Sequence, residues 1–311
     1  MRILVVCSGN KPDFDLRLHQ AFIFDQVEAL KQFDSTLQFD YFFIRGKGIR
    51  GYLSCLSELI DRLESRVYNV VHAHVTMPAL VANLQRRVPV ITTFHGSDIN
   101  VPWLRVVSLF AELLSHRTIY ISPNLAKKAV YTKKNKHAII PCGVDFDLFK
   151  PRPKGESRQQ LGLADHKRYV LFSSGFTNPV KNYPLAKAAM DRLPEEVELL
   201  ELKNYTREQV ALLFNAVDVA LMTSHSEGSP QFVKEALASN CPVVSTRVGD
   251  VESVLGDLAG CYLTSYDAAD VAAKLQLVLQ NPRPISSRES VRRFDNRLIA
   301  QQVWRVYQQV R

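Results

Sequence analysis

Short apolar runs alternate with amphipathic segments along most of the chain. Residues 2–7, 67–73 and 88–94 are almost continuously apolar, as expected for strands buried on both faces of a parallel sheet. The first run leads through a turn at Gly9 to residues 21–33, whose apolar positions recur at helical spacing. This alternation predicts an α/β fold built from parallel strands and crossover helices.

The same pattern predicts the remaining elements. The predicted strands are residues 2–7, 37–44, 67–73, 88–94, 118–122, 138–141, 168–174, 197–202, 219–223, 241–246 and 261–264. The predicted helices are residues 21–33, 52–64, 79–85, 106–115, 123–133, 183–193, 206–216, one starting at Pro230, 251–260, 268–279 and 295–310. Two successive series of strand and helix indicate two doubly wound sheets.

The length and the linker signals predict two domains. A chain of 311 residues exceeds a comfortable single core, and Lys150-Pro151-Arg152-Pro153 has the prolines and charge of a linker. We therefore expect a Rossmann-like domain over residues 1–150, a second over residues 151–292, and a final helical segment over 293–311. The final helix either crosses back to the first domain or packs on its own domain.

Composition limits the class of protein. Apolar residues make up 46% and charged residues 23% of the chain, as in soluble enzymes. No apolar run approaches 18 residues, and the first ten residues lack the pattern of a signal peptide. The five cysteines are odd in number and scattered, which favours a reduced cytoplasmic protein without a metal cluster.

The net charge of +8 is concentrated in the first half. Residues 1–145 carry 18 Lys and Arg against 12 Asp and Glu, whereas the remainder carries 21 against 19. Clusters of these basic residues could face nucleic acid or an anionic membrane surface, or form a basic face that contacts only solvent. The clusters lack interleaved aromatic residues and a nucleic-acid-binding module, so no nucleic-acid partner is predicted.

The densest chemistry lies between residues 223 and 250. Glu227 and Glu235 are eight positions apart around a Gly228-Ser229-Pro230 turn, and Pro230 fits the first position of a helix. Free backbone N–H groups at a helix start bind phosphate, and carboxylates suit pairs of sugar hydroxyls. The alternative is that both glutamates are solvated charges beside a helix cap.

Other polar residues follow predicted strands, where parallel sheets bind ligands. Gly9 and Asn10 follow the first strand, His72 and His74 close the third, and Phe94-His95-Gly96-Ser97-Asp98 ends the fourth. Gly9 could serve only a tight turn, and His72 could be a satisfied core histidine. The two histidines of His72-Ala73-His74 share one side of the strand, but no third ligand has convincing spacing, so no metal site is predicted.

Four motifs together resemble the retaining glycosyltransferases of family 4, which have the two-Rossmann-domain architecture called GT-B. In chain order they are Val70-Val71-His72-Ala73-His74; Thr93-Phe94-His95-Gly96-Ser97-Asp98; Ile139-Ile140-Pro141-Cys142-Gly143-Val144-Asp145 with Phe149 and Pro151; and the Glu227-x7-Glu235 segment. Each motif is short, but their shared order and spacing are specific.

The resemblance implies transfer of a sugar from a nucleotide-sugar donor to an acceptor hydroxyl, with retention of configuration. The second domain would bind the nucleotide-sugar and the first a saccharide or lipid-linked acceptor, with no metal or other cofactor. Such a reaction fits cell-surface polysaccharide or glycolipid synthesis, in the cytoplasm or on the inner face of the membrane. A GT-B epimerase and a non-catalytic or partner-dependent GT-B subunit are the alternatives.

The resemblance also assigns roles. Glu227, His95 and Lys181 resemble the catalytic residues, which contact the donor sugar and its phosphates. Glu235 resembles the ribose-binding residue. The resemblance places six further residues on the donor side: Gly9, Gly228, Ser229, Pro230, Gln231 and Phe232. It places Asn10, His74 and Asp98 on the acceptor side or in the cleft.

Three departures from the family pattern concern the second domain. Phe176 stands where the family usually has an arginine of the phosphate clamp. Either Lys181 acts with helix dipoles alone, or another cation such as Lys203 or Arg247 substitutes. The segment between Lys181 and Thr223 is short, as if one αβ unit were absent. Asp250 stands where a second glycine is common. A dehydrogenase is disfavoured because the first strand leads into no Gly-x-Gly-x-x-Gly turn.

Overall fold

The computed structural model describes residues 1–96, 99, 101–130, 135–282 and 285–310. It divides into two compact units. One comprises Met1–Gly143 with Asn296–Arg311, and the other comprises Val144–Asp295. In the described ranges, no helix is long and apolar enough to cross a membrane.

The first unit is built on a six-stranded parallel sheet in the order β2-β1-β3-β4-β5-β6. Its strands are β1 (Arg2–Ser8), β2 (Gln38–Ile44), β3 (Val70–His74), β4 (Val90–Phe94), β5 (Arg117–Tyr120) and β6 (His137–Ile139). Its helices are α1 (Leu16–His19), α2 (Ala21–Phe33), α3 (Gly48–Leu53), α4 (Leu56–Ser65), α5 (Thr76–Leu84), α6 (Pro102–Leu114), α7 (Pro123–Lys128) and α14 (Asn296–Gln308).

Two hydrophobic cores lie on the two faces of this sheet. One contains Leu59 of α4, Ala82 of α5, Ala111 of α6 and Leu125 of α7, so these helices share a layer. The other core combines α2 with α14, whose Ile299, Val303 and Tyr307 are buried against the strands. The C-terminal helix therefore belongs to the first sheet.

The second unit is built on a five-stranded parallel sheet in the order β11-β10-β9-β7-β8. Its strands are β7 (Arg168–Phe172), β8 (Val197–Glu201), β9 (Val219–Met222), β10 (Val243–Thr246) and β11 (Tyr262–Thr264). Its helices are α8 (Lys154–Leu161), α9 (Tyr183–Met190), α10 (Arg207–Ala216), α11 (Gln231–Ala238), α12 (Val251–Leu255) and α13 (Ala268–Gln280), with 3-10 turns at Pro179–Lys181 and Glu289–Phe294. The two sheets confirm the predicted doubly wound α/β class.

Several predicted boundaries were wrong. The helix predicted over 123–133 ends at Lys128, and the one predicted over 251–260 ends at Leu255. Pro230 is the N-cap of α11 rather than its first residue, because its backbone is extended at φ −70° and ψ 119°. The capping box of Thr206 and Gln209 fixes the start of α10 at Arg207, one residue after the predicted start.

Helix α8 was missed because its sequence, KGESRQQL, has almost no apolar face. A buried polar anchor holds it instead. Asp218, directly before β9, accepts hydrogen bonds from Arg158 Nη2 at 3.1 Å, from Lys154 Nζ at 2.7 Å and from the backbone N–H of Tyr169 at 2.7 Å. Burial raises the pKa of Asp218, but the hydrogen bonds from Lys154, the Tyr169 N–H and Arg168 outweigh it and hold that pKa below its usual value. Apolar periodicity cannot reveal a helix that is held by charge.

Candidate functional site

Each sheet has one point at which its strand order reverses. In the first unit the reversal lies between β1 and β3, and in the second between β7 and β9. The loops leaving such neighbouring strands diverge to opposite faces, which opens a crevice at their carboxyl ends where doubly wound sheets bind ligands. The loops after β7 and β9 hold Lys181 and Glu227, and β1 and β3 lead to Gly9 and His74.

Lys181 and Glu227 form an ion pair at the second of these points. The Nζ atom of Lys181 donates to Oε1 of Glu227 at 2.6 Å, and both side chains are mostly buried. The hydroxyl of Thr223 contacts the carbonyl oxygens of Lys181 and Asn182 at 2.9 and 3.0 Å, and the N–H of His225 donates to Val180. These bonds tie the loop after β7 to the loop after β9, so the pair is held from both sides.

Glu235 lies in the middle of α11 and is 4% exposed. Its Oε1 accepts from Nη1 of Arg207, the first residue of α10, at 2.9 Å. The guanidinium of Arg207 also lies 4.7 Å from the ring centroid of Phe149. Glu235 is therefore a buried carboxylate held by an ion pair, not a solvated charge beside a cap.

The start of α11 is shaped by close backbone contacts. A Cβ on Gly249 would lie 2.8 Å from the carbonyl oxygen of Gly228, and the φ of Gly249 is +59°, so only glycine fits there. Ser229 donates its hydroxyl to Oδ2 of Asp250 at 2.5 Å. Asp250, where the family pattern has glycine, thus fixes the turn. Pro230 has no N–H, so Gln231 supplies the first backbone N–H of the helix itself.

Phe176 does not face the site as a clamp residue would. Its ring stacks on Tyr183 with centroids 4.2 Å apart and joins the apolar cluster under the sheet. Its backbone N–H donates to Oε1 of Glu201 at 2.6 Å. The Lys203 side chain runs beside Gly175, whereas Arg247 pairs with Glu252 on the surface. Of the two proposed substitute cations, Lys203 is therefore the one beside the β7 loop.

The polar residues after β1 brace a neighbouring loop. A Cβ on Gly9 would lie 2.9 Å from Cβ of Phe43, so β2 alone accounts for the missing side chain. Asn10 donates from Nδ2 to the hydroxyl of Tyr52 at 3.0 Å and accepts from the N–H of Gly46 at 2.6 Å. Both residues hold the loop after β2 against the end of β1.

Three histidines are grouped at the ends of β3 and β4. The rings of His72 and His74 lie on one side of β3, 4.3 Å apart, and Nδ1 of His74 contacts Nε2 of His95 at 3.0 Å. His72 is satisfied on both nitrogens by the hydroxyls of Tyr307 and Thr93, each at 2.8 Å. Nε2 of His74 is buried without a hydrogen-bond partner among the described residues.

Burial keeps these histidines neutral. It lowers the pKa of His72 to about 3 and that of His95 to about 3, and it lowers the pKa of His74 well below its usual value. Among the described residues, no group of three or more His, Cys, Asp and Glu is placed to hold a metal ion. Asp98, also predicted for this edge, lies outside the described residues.

Sequence reasoning missed three partners of the site. Arg207 reads as an ordinary residue in the first turn of a helix, and Tyr307 as a core residue of the last one. Glu201 ends an edge strand. Arg207 contacts Glu235, 28 residues away in sequence, and Tyr307 contacts His72, 235 residues away. Glu201 contacts Phe176, 25 residues away. For Arg207 alone the sequence offered a clue: Glu235 lies within a predicted helix, and a carboxylate that is buried there needs a charged partner.

Two family models match the chain in succession. The model described as Glycosyltransferase Family 4 matches residues 5–148, and that described as Glycosyl transferases group 1 matches residues 197–297. A curated relative is the putative teichuronic acid biosynthesis glycosyltransferase TuaC of Bacillus subtilis, 27% identical over 220 residues. That match covers 60% of this chain and 55% of TuaC, so the chain spans little more than half of that relative.

Solved structures share the fold. The chain resembles sucrose-phosphate synthase from Thermosynechococcus elongatus with a TM-score of 0.85 at 18% identity, covering 99% of this chain and 98% of that one. It resembles Anabaena HepE in complex with UDP-glucose with a TM-score of 0.80 at 17% identity, covering 99% and 100%. These matches show that the chain is similar to the group 1 and family 4 glycosyltransferases, and its two parallel-sheet α/β units have the GT-B fold.

Proposed function

We propose that this chain transfers a sugar from a nucleotide-sugar donor to an acceptor hydroxyl, with retention of configuration. The observation that carries the proposal is the pairing of two carboxylates with two cations around the β7/β9 edge, Lys181 with Glu227 and Arg207 with Glu235. That edge is where a doubly wound sheet binds nucleotides. HepE, which shares the fold, was solved in complex with UDP-glucose.

In this proposal the Lys181–Glu227 pair holds both groups in place before the donor arrives. The diphosphate then takes Lys181, and the released Glu227 accepts hydrogen bonds from the donor sugar. The N–H groups of Gln231 and Phe232 at the start of α11 face the same anion. Glu235 binds the ribose hydroxyls and keeps its ion pair with Arg207.

The reaction makes one bond and breaks one bond at the anomeric carbon. The acceptor oxygen bonds to that carbon on the face that the diphosphate leaves, which keeps the configuration. The bond from carbon to the bridging oxygen breaks with its electron pair, and the acceptor proton moves to a departing phosphate oxygen. Lys181 stabilises the charge that grows on the leaving group, which is its contribution to the rate.

The first unit is proposed to bind the acceptor. Neutral histidines can donate or accept hydrogen bonds from hydroxyl groups without attracting a second anion. His95 would contact the transferred sugar, and Nε2 of His74 is a buried polar atom that an acceptor hydroxyl could satisfy. A saccharide or lipid-linked acceptor, in polysaccharide or glycolipid synthesis on the cytoplasmic side of an anionic membrane, completes the proposal.

The test is a panel of UDP-, GDP- and ADP-sugars. A bound donor stabilises the folded state, so we expect one nucleotide class to raise Tm and to be hydrolysed or consumed by the purified chain. NMR of the product at the anomeric position should show the configuration of the donor. An inverted product would exclude retention. Binding without turnover would instead favour a non-catalytic subunit, and an epimerised free nucleotide-sugar would indicate the GT-B epimerase.

A further inference from the structure

Helix α6 (Pro102–Leu114) exposes a row of large apolar side chains. Trp103 is 57%, Val106 63%, Phe110 55% and Leu113 44% exposed. At 100° per residue these four positions lie within roughly 80° of the helix circumference, so they form one stripe. No other helix or strand in the described ranges exposes four large apolar side chains.

The opposite side of α6 accounts for its folding. Ser108, Ala111 and Glu112 are buried, and the helix packs against α5 and into the core shared by α4, α5 and α7. The apolar stripe is therefore surplus to the fold. Single exposed apolar residues are ordinary, but a contiguous row of them indicates an interaction surface.

The segment of sequence that contains the stripe is strongly basic. Residues 75–138 carry nine Lys and Arg against two Asp and Glu, which is seven of the chain's eight net positive charges. Lys136 Nζ donates to the carbonyl oxygens of Glu112 and Leu113 at 3.1 and 2.8 Å, and Arg86 donates to that of Leu114 at 2.9 Å. Two cations thus sit at the end of the stripe.

Further cations lie close by in the same helical layer. Arg105 is exposed on α6 itself, and Lys127 and Lys128 are exposed on α7, whose Leu125 enters the same core. An apolar stripe with an aromatic residue and flanking Lys and Arg is the pattern of a helix that lies in a membrane interface. A protein partner with a surface of ordinary composition would not neutralise the positive charge of these Lys and Arg residues.

We propose that the α6 stripe is a membrane-docking surface that binds anionic lipid headgroups through the flanking cations. Trp103 and Phe110 would enter the boundary between headgroups and acyl chains, and Arg86, Lys127, Lys128 and Lys136 would contact the headgroups. The proposal rests on the first unit alone and does not depend on the transferase assignment.

The experiment uses the full chain and tryptophan fluorescence. The chain has two tryptophans, so Trp304→Phe leaves Trp103 as the only reporter. Vesicles of equal parts phosphatidylglycerol and phosphatidylcholine should shift its emission to the blue and co-sediment with the protein, whereas pure phosphatidylcholine should not. Raising the salt concentration from about 0.05 M to about 0.5 M should release the protein, because the higher concentration screens the charges of lipid and protein more strongly.

Variants separate the two parts of the surface. Phe110→Glu and the double variant Lys127→Glu/Lys128→Glu should each weaken binding to the anionic vesicles by about tenfold or more. Leu277→Glu, at an exposed position of α13 in the other unit, is the matched control and should bind as the parent does. Because all these side chains are exposed, unchanged circular dichroism melting should confirm that the variants fold.

Two results would overturn the proposal. One is equal binding of Phe110→Glu and the parent, which would show that α6 is not the contact. The other is a concentration-dependent dimer in light scattering that is lost in Phe110→Glu while no vesicle binding occurs, since the stripe would then join two copies. If the Phe110 and Lys127/Lys128 variants lose vesicle binding but still bind the donor as the parent does, that result would support docking, whether or not the transferase proposal holds.

Discussion

The two sheets reverse their strand order in the same way, yet they place opposite chemistry at the reversal. Around the β7/β9 edge lie two ion pairs, Lys181–Glu227 and Arg207–Glu235. At the β1/β3 edge lie neutral histidines whose pKa values are lowered by burial. One topology thus provides two crevices, and the residues in the loops decide which can hold a charged ligand.

The contrast explains why the donor is assigned to the second unit. A nucleoside diphosphate needs cations and backbone N–H groups, and carboxylates to hold its hydroxyls. The second edge has all of these, whereas the first offers neutral hydrogen-bonding groups suited to an uncharged saccharide. Variants at the two edges should therefore affect different substrates.

The largest expected effect is that of Glu227→Ala. If Glu227 contacts the donor sugar in the transition state as proposed, loss of its carboxylate should reduce kcat by about 10² to 10³-fold with little change in donor KM. Steady-state kinetics with a saturating acceptor measures it. Glu252→Ala, an exposed glutamate that pairs with Arg247, is the control. Full activity in Glu227→Ala would remove this residue from the mechanism.

Glu235→Ala should act mainly on donor affinity. If Glu235 binds the ribose as proposed, its loss should raise the donor KM by about tenfold while kcat stays within about twofold, because ribose is remote from the breaking bond. Arg207→Ala should act in the same direction, and the double variant should be less than additive because the two residues form one ion pair. Additive effects would mean that Arg207 contributes separately from Glu235.

His74→Ala tests the neutral edge. If an acceptor hydroxyl satisfies Nε2, its removal should raise the acceptor KM by about five- to tenfold and leave the donor KM unchanged, since one buried hydrogen bond is lost. Initial rates with each substrate varied in turn separate the two constants. A change confined to the donor KM would assign His74 to the donor and contradict its assignment to the acceptor.

A further effect concerns the acid stability of the first unit. The folded-state pKa of His72 is about 3, below the value of about 6.5 expected when unfolded, so only the unfolded chain takes up a proton between these values. Stability should therefore fall as pH drops below about 6.5, by about 2 kcal/mol from His72 between pH 7 and pH 5.

Urea unfolding followed by tryptophan fluorescence measures this loss, because Trp103 and Trp304 both lie in the first unit. His72→Gln should be destabilised at pH 7 but should lose less stability on acidification than the parent. His166→Gln, at an exposed position of the second unit, is the matched control. If the parent and His72→Gln lose the same stability between pH 7 and pH 5, His72 is not the neutral buried group described.

Local pattern was sufficient for much of the fold and part of the site. The apolar runs marked β1, β3, β4, β7 and β9, because strands buried on both faces need continuous apolar residues. The spacing of Glu227 and Glu235 placed one on a loop and the other inside a helix, as the structure shows. The start of α11 was predicted one residue early, since an extended proline caps a helix as readily as it begins one.

The α/β class, the family motifs and the residue types that follow the strands could be inferred from the sequence alone. The partners of these residues depend on the folded chain: Arg207 for Glu235, Tyr307 for His72, Asp250 for Ser229, and the core for Phe176. The reason is physical. Periodicity records which side of an element faces the core, whereas a buried ion pair or an unpaired histidine nitrogen depends on residues brought together by the sheet order, which no local window contains.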